Sequence, residues 1–207
     1  MHDNQWTQLP TPPNIDPKRR ELHRPSTAAT LNMVATAAMS ARLWAPYDAA
    51  FAEQCLSAAR LGYAAAKANP AIYAPGTDWD LGGGAYSDDD VRDEFYWAAA
   101  EMYITTGEAQ FAQDVMSNYY YTANSSTLFP PGGFSWGSVA SLAQLDLAMV
   151  PNNITGRDAI IKSVLAGAQQ YMSVQKDQPT GAMITEYPWG SNSRPHIQTF
   201  RISHKEY

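Results

Sequence analysis

Five carboxylates crowd into one short stretch: Asp88, Asp89, Asp90, Asp93 and Glu94. Such a cluster can do three kinds of chemistry. At the start of a helix, carboxylates accept from free amides and oppose the positive end of the helix dipole. Packed this densely, they repel one another unless a cation intervenes. Ca²⁺ takes roughly 6–8 hard oxygen ligands, which carboxylates one turn apart and loop carbonyls can supply. The third possibility is acid–base work on a glycosidic bond. An inverting hydrolase needs its two carboxyls about 6.5–9.5 Å apart, on opposite sides of the sugar. Carboxylates on one helical turn share a wall and point the same way, so this cluster fails that geometry.

Four aromatic residues form a second constellation. Trp6, Tyr86, Trp136 and Trp189 each stand in or beside a Gly- or Pro-containing loop. Core rings prefer element interiors, as Phe95 and Trp97 do. Rings on loops are candidate platforms for a planar ligand face, sugars included.

Other chemistries find no support. His2, His23, His196 and His204 show no i,i+4 metal pairing, and no Ser-His-Asp arrangement can be assembled from the spacing. Gly82-Gly83-Gly84 leads into an acidic helix, which repels phosphate rather than cradling it. Cys55 is alone, so it forms neither an intrachain disulfide nor a multi-cysteine zinc site. It lies in an apolar helical stripe and reads as buried filler.

The elements that must carry these residues are helical. Hydrophobic residues make up 45% of the 207-residue chain and charged residues 16%, which fits one folded domain and excludes disorder. A net charge of −6 and a pI near 5.1 exclude a nucleic-acid face and a basic membrane-surface helix. No apolar run is long enough to span a bilayer, and residues 1–13 lack a signal-peptide core.

After a Pro-rich start, the pattern from Ser26 predicts helices separated by breakers. The first runs over 26–44. A second starts at the N-cap Asp48 and reaches 68, with Phe51, Cys55, Ala58 and Gly62 on one stripe. A capping box, Ser87-x-x-Asp90, opens a third, to 106, that is apolar nearly all round and so expected to be buried. Gly107 ends it, and a helix over 108–121 follows after almost no loop, an antiparallel hairpin. A fifth covers 136–149. Thr155-x-x-Asp158 caps a sixth, to 175, with Ile161, Leu165, Ala168 and Met172 aligned. Paired helices around a buried inner helix predict a toroid of α-hairpins.

Three ordered stretches then become recognisable. They are His2-Asp3-Asn4-Gln5-Trp6 with Pro25-Ser26-Thr27-Ala28-Ala29-Thr30-Leu31-Asn32; Gly83-Gly84-Ala85-Tyr86 through Asp93-Glu94-Phe95-Tyr96-Trp97-Ala98-Ala99-Ala100-Glu101; and Phe134-Ser135-Trp136-Gly137 with Trp189-Gly190-Ser191-Asn192-Ser193. Together they resemble glycoside hydrolase family nine, in the branch with an N-terminal immunoglobulin-like domain. The resemblance covers residues 1–193; residues 194–207 depart from the pattern.

It implies an all-α fold, half of an (α/α)6 barrel with about six helices in hairpin pairs. It implies an inverting endo-β-1,4-glucanase acting on cellulose or related β-glucans, secreted as part of its parent protein. The family's Asp-Ala-Gly-Asp type motif, its His-x-Arg motif and its acid glutamate have no counterpart here, so the expected catalytic residues are none and the chain alone is expected to be inactive. The resemblance carries over calcium as a structural cofactor at Asp89, Asp90, Asp93 and Glu94, with Gly137 where the family has a further aspartate ligand. It also carries over Trp189 and Trp6 as cleft tryptophans. The expected partner is β-1,4-glucan, with self-association through exposed apolar edges, and no nucleic acid or membrane. The rival readings are a non-catalytic helical carbohydrate- or protein-binding module and another (α/α) barrel carbohydrate enzyme.

Overall fold

The computed structural model describes residues 7–18, 24–74, 88–185 and 187. Among them are seven α-helices and one 3-10 turn, with no strand. α1 (Thr27–Trp44) starts where Ser26 Oγ accepts the Ala29 amide, and α2 (Ala49–Ala68) starts where Asp48 Oδ1 accepts the Phe51 amide at 2.9 Å. Each cap satisfies an amide that has no partner within its own helix. The hairpin is tied at its open end by Thr27, whose Oγ1 donates to the Asn69 carbonyl at 2.6 Å and accepts the Ile72 amide at 2.9 Å. Gly62 lets the two helices close, because a Cβ there would lie 2.7 Å from Met33 Cε and 2.8 Å from Val34 Cγ2.

α3 (Arg92–Thr106) is the centre of the molecule. It packs against α1 on one side, α6 (Ala140–Met149) on the other and α4 (Ala109–Ser117) behind. Ala98, Ala99 and Ala100 are all buried, as are Tyr96 and Met102. A helix covered on so many sides has no polar stripe, which is why its sequence is apolar nearly all round. Each large side chain so buried contributes about 1.5–3 kcal/mol relative to leaving it in water. Gly107 closes α3 in the left-handed conformation at φ 71°, its amide donating to the Tyr103 carbonyl.

The helices form two layers. α3 and α6 run the same way, since Asp93 meets Val139 and Trp97, one turn on, meets Asp146. α2 and α4 also run the same way, since Arg60 pairs with Glu108 and Lys67 with Asp114. The inner layer is α1, α3 and α6. The outer layer is α2, α4 and α7 (Arg157–Asp177), each packed on its inner partner. This is the expected half-toroid of helical hairpins.

Several boundaries differ from expectation. α3 begins at Arg92 with Val91, which has no side-chain acceptor, at its N-cap, and Asp90 turns to the Arg92 backbone and guanidinium; Ser87 of the predicted capping box lies outside the described residues. The predicted helix over 108–121 breaks at Ser117, and Tyr119–Thr122 tightens into a 3-10 turn after Asn118 takes the Tyr120 amide. Ser125–Leu128 forms one short helix, α5, inside a predicted loop, capped by Asn124. α6 starts at Ala140, so Trp136 lies in the preceding turn and not on the helix. α7 starts after Gly156 at φ 75°, with no contribution from the Thr155 side chain.

Two predicted stripes are rotated by about one residue. α7 buries Ile160, Gly167 and Tyr171, while Leu165 and Met172 face outward. α2 buries Ala52, Ala59, Gly62, Tyr63 and Ala66, while Phe51 is exposed and Cys55 only half-buried. In both, small residues mark the true contact face because helix axes approach closely there.

Candidate functional site

The acidic cluster divides once folded. Asp93 and Glu94 sit in the first turn of α3 and are 3% and 0% exposed. Asp93 Oδ2 accepts the Val139 amide at 2.7 Å, joining the start of α3 to the start of α6. Asp88 leans over the same point; its Oδ1 accepts the Asp90 amide at 3.1 Å, and its Oδ2 is buried without a donor. Both Glu94 oxygens are likewise buried without a donor. Asp90 and Asp89 stay outside. Asp90 makes a two-pronged bond to Arg92, at 2.8 and 2.6 Å, and Asp89 is exposed. The folded cluster is therefore Asp88, Asp93 and Glu94. Asp88 was legible as part of the acidic run, but nothing in the spacing separated it from Asp89 and Asp90.

Electrostatics reflect the crowding. Burial, and then the charges of Asp93 and Asp88, push the Glu94 carboxyl up to about 10. Burial chiefly, and the neighbouring carboxylates next, raise Asp88 as well. Asp90 is held below the usual range by its bonds to Arg92. A proton or a cation must stabilise Glu94 where it stands.

The cluster lies under a tight turn. Ser135 and Ser138 exchange backbone hydrogen bonds at 3.2 Å, leaving Trp136 and Gly137 at the tip. Trp136 is 55% exposed there. A Cβ on Gly137 would come within 3.3 Å of Asp88 Oδ2, so the glycine leaves the room that the Asp88 carboxyl occupies. Among the described residues, no three Asp, Glu, His or Cys side chains close by themselves into a metal cage. The donors fit a hard cation only in part: three orphaned carboxylate oxygens are present, and the remaining ligands of a Ca²⁺ shell would be main-chain oxygens or water.

Trp6, Tyr86 and Trp189, the other three candidate sugar platforms, lie outside the described residues. So does the whole tail from 194 onward. A separate groove of about 370 Å³ runs between α2 and α4, lined by Tyr63, Lys67, Arg92, Phe95 and Asp114. Its polar groups are already paired, as Asp114 accepts from both Tyr63, at 2.7 Å, and Lys67, at 3.0 Å.

A second buried polar cluster escaped the sequence reading. Glu101 on α3 is 0% exposed, accepts from Arg42 of α1 at 2.7 Å, and faces Asp146 of α6. Neither of its carboxyls belongs to a dense acidic run. Only Glu101 inside an otherwise apolar helix could have signalled it.

Known proteins resolve the family. The sequence pattern of glycosyl hydrolase family 9 matches residues 1–203, ten residues into the tail set apart at 194. Endoglucanase C of Cellulomonas fimi is 52% identical over 94% of this chain, and a cellulose 1,4-beta-cellobiosidase of Acetivibrio thermocellus is 38% identical over 93%. The chain spans only 18% and 24% of those two relatives. A metagenome-derived glycoside hydrolase family 9 endoglucanase superposes with a TM-score of 0.83 at 27% identity, covering 99% of this chain and 37% of that one. The helical layers, the ordered motifs and these likenesses agree: the chain belongs to glycosyl hydrolase family 9.

Proposed function

We propose that this chain forms part of the substrate-binding wall of a secreted, inverting endo-β-1,4-glucanase acting on cellulose or related β-glucans. The observation that carries this reading is Trp136, held exposed at the tip of a turn that the Asp93–Val139 bond fastens to α3. A ring held in place rather than free to collapse is suited to stack on a sugar face. The 52% identity to an endoglucanase supports endo action on β-1,4-glucan. No helix among the described residues is long and apolar enough to cross a membrane.

The chemistry of the whole enzyme is general acid–base: an aspartate activates water while a glutamic acid protonates the leaving oxygen. Neither carboxyl cluster of this chain can take those roles. Glu94 and Glu101 are fully buried, Asp93 is 3% exposed, and Asp88, Asp93 and Glu94 gather on one wall at the start of α3. The 207-residue chain is accordingly expected to bind glucan without hydrolysing it.

Calcium is proposed as a structural cofactor at Asp88, Asp93 and Glu94. Bound there, it would neutralise the carboxylates and hold the Trp136 turn against α3. Asp88 takes a place among the ligands that the sequence resemblance assigned to Asp89 and Asp90. It stands directly beside Gly137, where the family resemblance expects an aspartate.

Titration of the chain with cello-oligosaccharides, followed by tryptophan fluorescence, tests the reading. The expected result is a saturable change that W136A weakens by about tenfold or more, the range of one lost aromatic contact. A response of equal strength in W136A removes Trp136 from the wall. Binding with no oligosaccharide at all would favour the rival reading, a helical module for a protein partner.

A further inference from the structure

Two turns along α3 from the Asp93–Glu94 cluster, about 12 Å by the helical rise, the three inner helices meet in a second polar knot. From α1, Arg42 Nη1 donates to Glu101 Oε2 at 2.7 Å and to Thr105 Oγ1 at 2.8 Å. Thr105 in turn donates to the Ala38 carbonyl of α1 at 2.9 Å. From α6, Asp146 Oδ2 accepts the Trp97 indole N–H at 3.1 Å, and its carboxyl is within hydrogen-bond reach of Glu101. One atom of the knot is left over: Glu101 Oε1 is buried and receives no hydrogen bond.

We propose that Glu101, Asp146 and Arg42 form a proton-sharing clasp across the three inner helices, with one proton held between the two carboxyls, and that loss of this proton at alkaline pH loosens α6 from α3.

Charge and hydrogen bonding both favour that proton. Two carboxylates facing one guanidinium leave a net negative charge in a site where Glu101 has no contact with water. One shared proton makes the knot neutral. A hydroxyl on Asp146 also supplies the donor that Glu101 Oε1 lacks, while Asp146 Oδ2 keeps its bond from Trp97. Placing the proton on Asp146 agrees with its surroundings: burial, then the Glu101 charge, push its carboxyl up to about 8, with Trp97 and Arg42 opposing. The charged groups acting on Asp146 are Glu101 and Arg42. Three outer-layer cations are engaged elsewhere, Arg60 with Glu108, Lys67 with Asp114, and Arg157 with the Leu147 and Ala148 carbonyls at the end of α6.

The consequence reaches the glucan-facing end of the fold. α6 begins four residues after Trp136, so a helix loosened at Asp146 also loses its hold on that turn. The clasp would make the binding wall firmest on the acidic to neutral side.

The 207-residue chain and its D146N variant decide the matter. The asparagine amide donates permanently to Glu101 while its oxygen still accepts from Trp97, so it mimics the protonated state and cannot titrate. Between about pH 5 and 8, the wild-type folding constant should fall relative to that of D146N by up to about tenfold per pH unit, the limit for one proton. Parallel pH profiles in the two proteins would overturn the clasp. A second readout does not depend on the variant folding. The Trp97 indole N–H resonance, assigned by through-bond NMR in the wild type, should follow a single titration on the alkaline side of neutrality. A resonance that stays still from about pH 6 to 10 would equally overturn it.

Discussion

The backbone amide of Val139 donates to Asp93 Oδ2 at 2.7 Å, so one buried carboxylate joins the first turn of α3 to the entry of α6. A charge-assisted bond of this kind stabilises more than a neutral one, and removing its acceptor leaves a buried amide unpaired. D93A should therefore lower the stability of the chain by about 2 kcal/mol, read from urea denaturation midpoints. D90A serves as the contrast. Asp90 bonds only to solvent-exposed Arg92, and its loss should change the midpoint far less. Equal effects from the two would mean that the amide bond is not what joins the helices.

The neighbouring Glu94 makes stability depend on pH in a known direction. Its folded carboxyl titrates at about 10 against an ordinary 4.5, so the folded chain keeps a proton that the unfolded chain has lost. Its contribution is complete below about pH 4.5 and is lost as pH rises toward about 10. Ca²⁺ favours the ionised carboxylate and so opposes this loss. Melting temperatures at about pH 5 and about pH 9, in chelator and in excess calcium, should show a smaller alkaline decline with calcium present. A decline of the same size in both conditions would remove Glu94 from the cation site.

Gly167 on α7 faces the Phe129 ring, and a Cβ there would lie 2.5 Å from two ring carbons. Phe129 is 2% exposed and has no room to withdraw. G167A should cost about 1–3 kcal/mol through overpacking, despite the better helix propensity of alanine. Denaturant unfolding of the variant gives the value directly, and a gain in stability would show that the Phe129 pocket yields.

An apolar patch marks the turn between α1 and α2. Trp44, Tyr47 and Phe51 are 49%, 83% and 41% exposed, and Trp44 meets the other two edge-on at centroid distances of 6.4 and 5.6 Å. With Leu43 beside them, these rings form an exposed apolar surface of the kind expected to associate in water. Sedimentation velocity over a concentration series should show reversible self-association of the chain, weakened in a W44S/Y47S variant. A sharp, concentration-independent monomer would contradict it.

Much of this protein is written locally. Ser26 and Asp48 cap the helices that follow them, Gly107 ends α3, and the lack of a polar face in residues 92–106 marks a helix covered on several sides. The family is equally local, because it rests on ordered short motifs. What the sequence could not separate were alternatives of equal local merit. Asp88, Asp89, Asp90, Asp93 and Glu94 are chemically alike in a row. Only the approach of the Trp136–Gly137 turn decides that Asp88, Asp93 and Glu94 are drawn inward while Asp90 turns to Arg92. The contact faces of α2 and α7 depended on small residues, Gly62 and Gly167, whose meaning appears only when Val34 and Phe129 arrive opposite them. The clasp of Arg42, Glu101 and Asp146 draws on residues up to 104 positions apart in the chain. No periodicity links them. The meeting of three helices brings them together and raises the Asp146 carboxyl, and that meeting is a property of the folded chain alone.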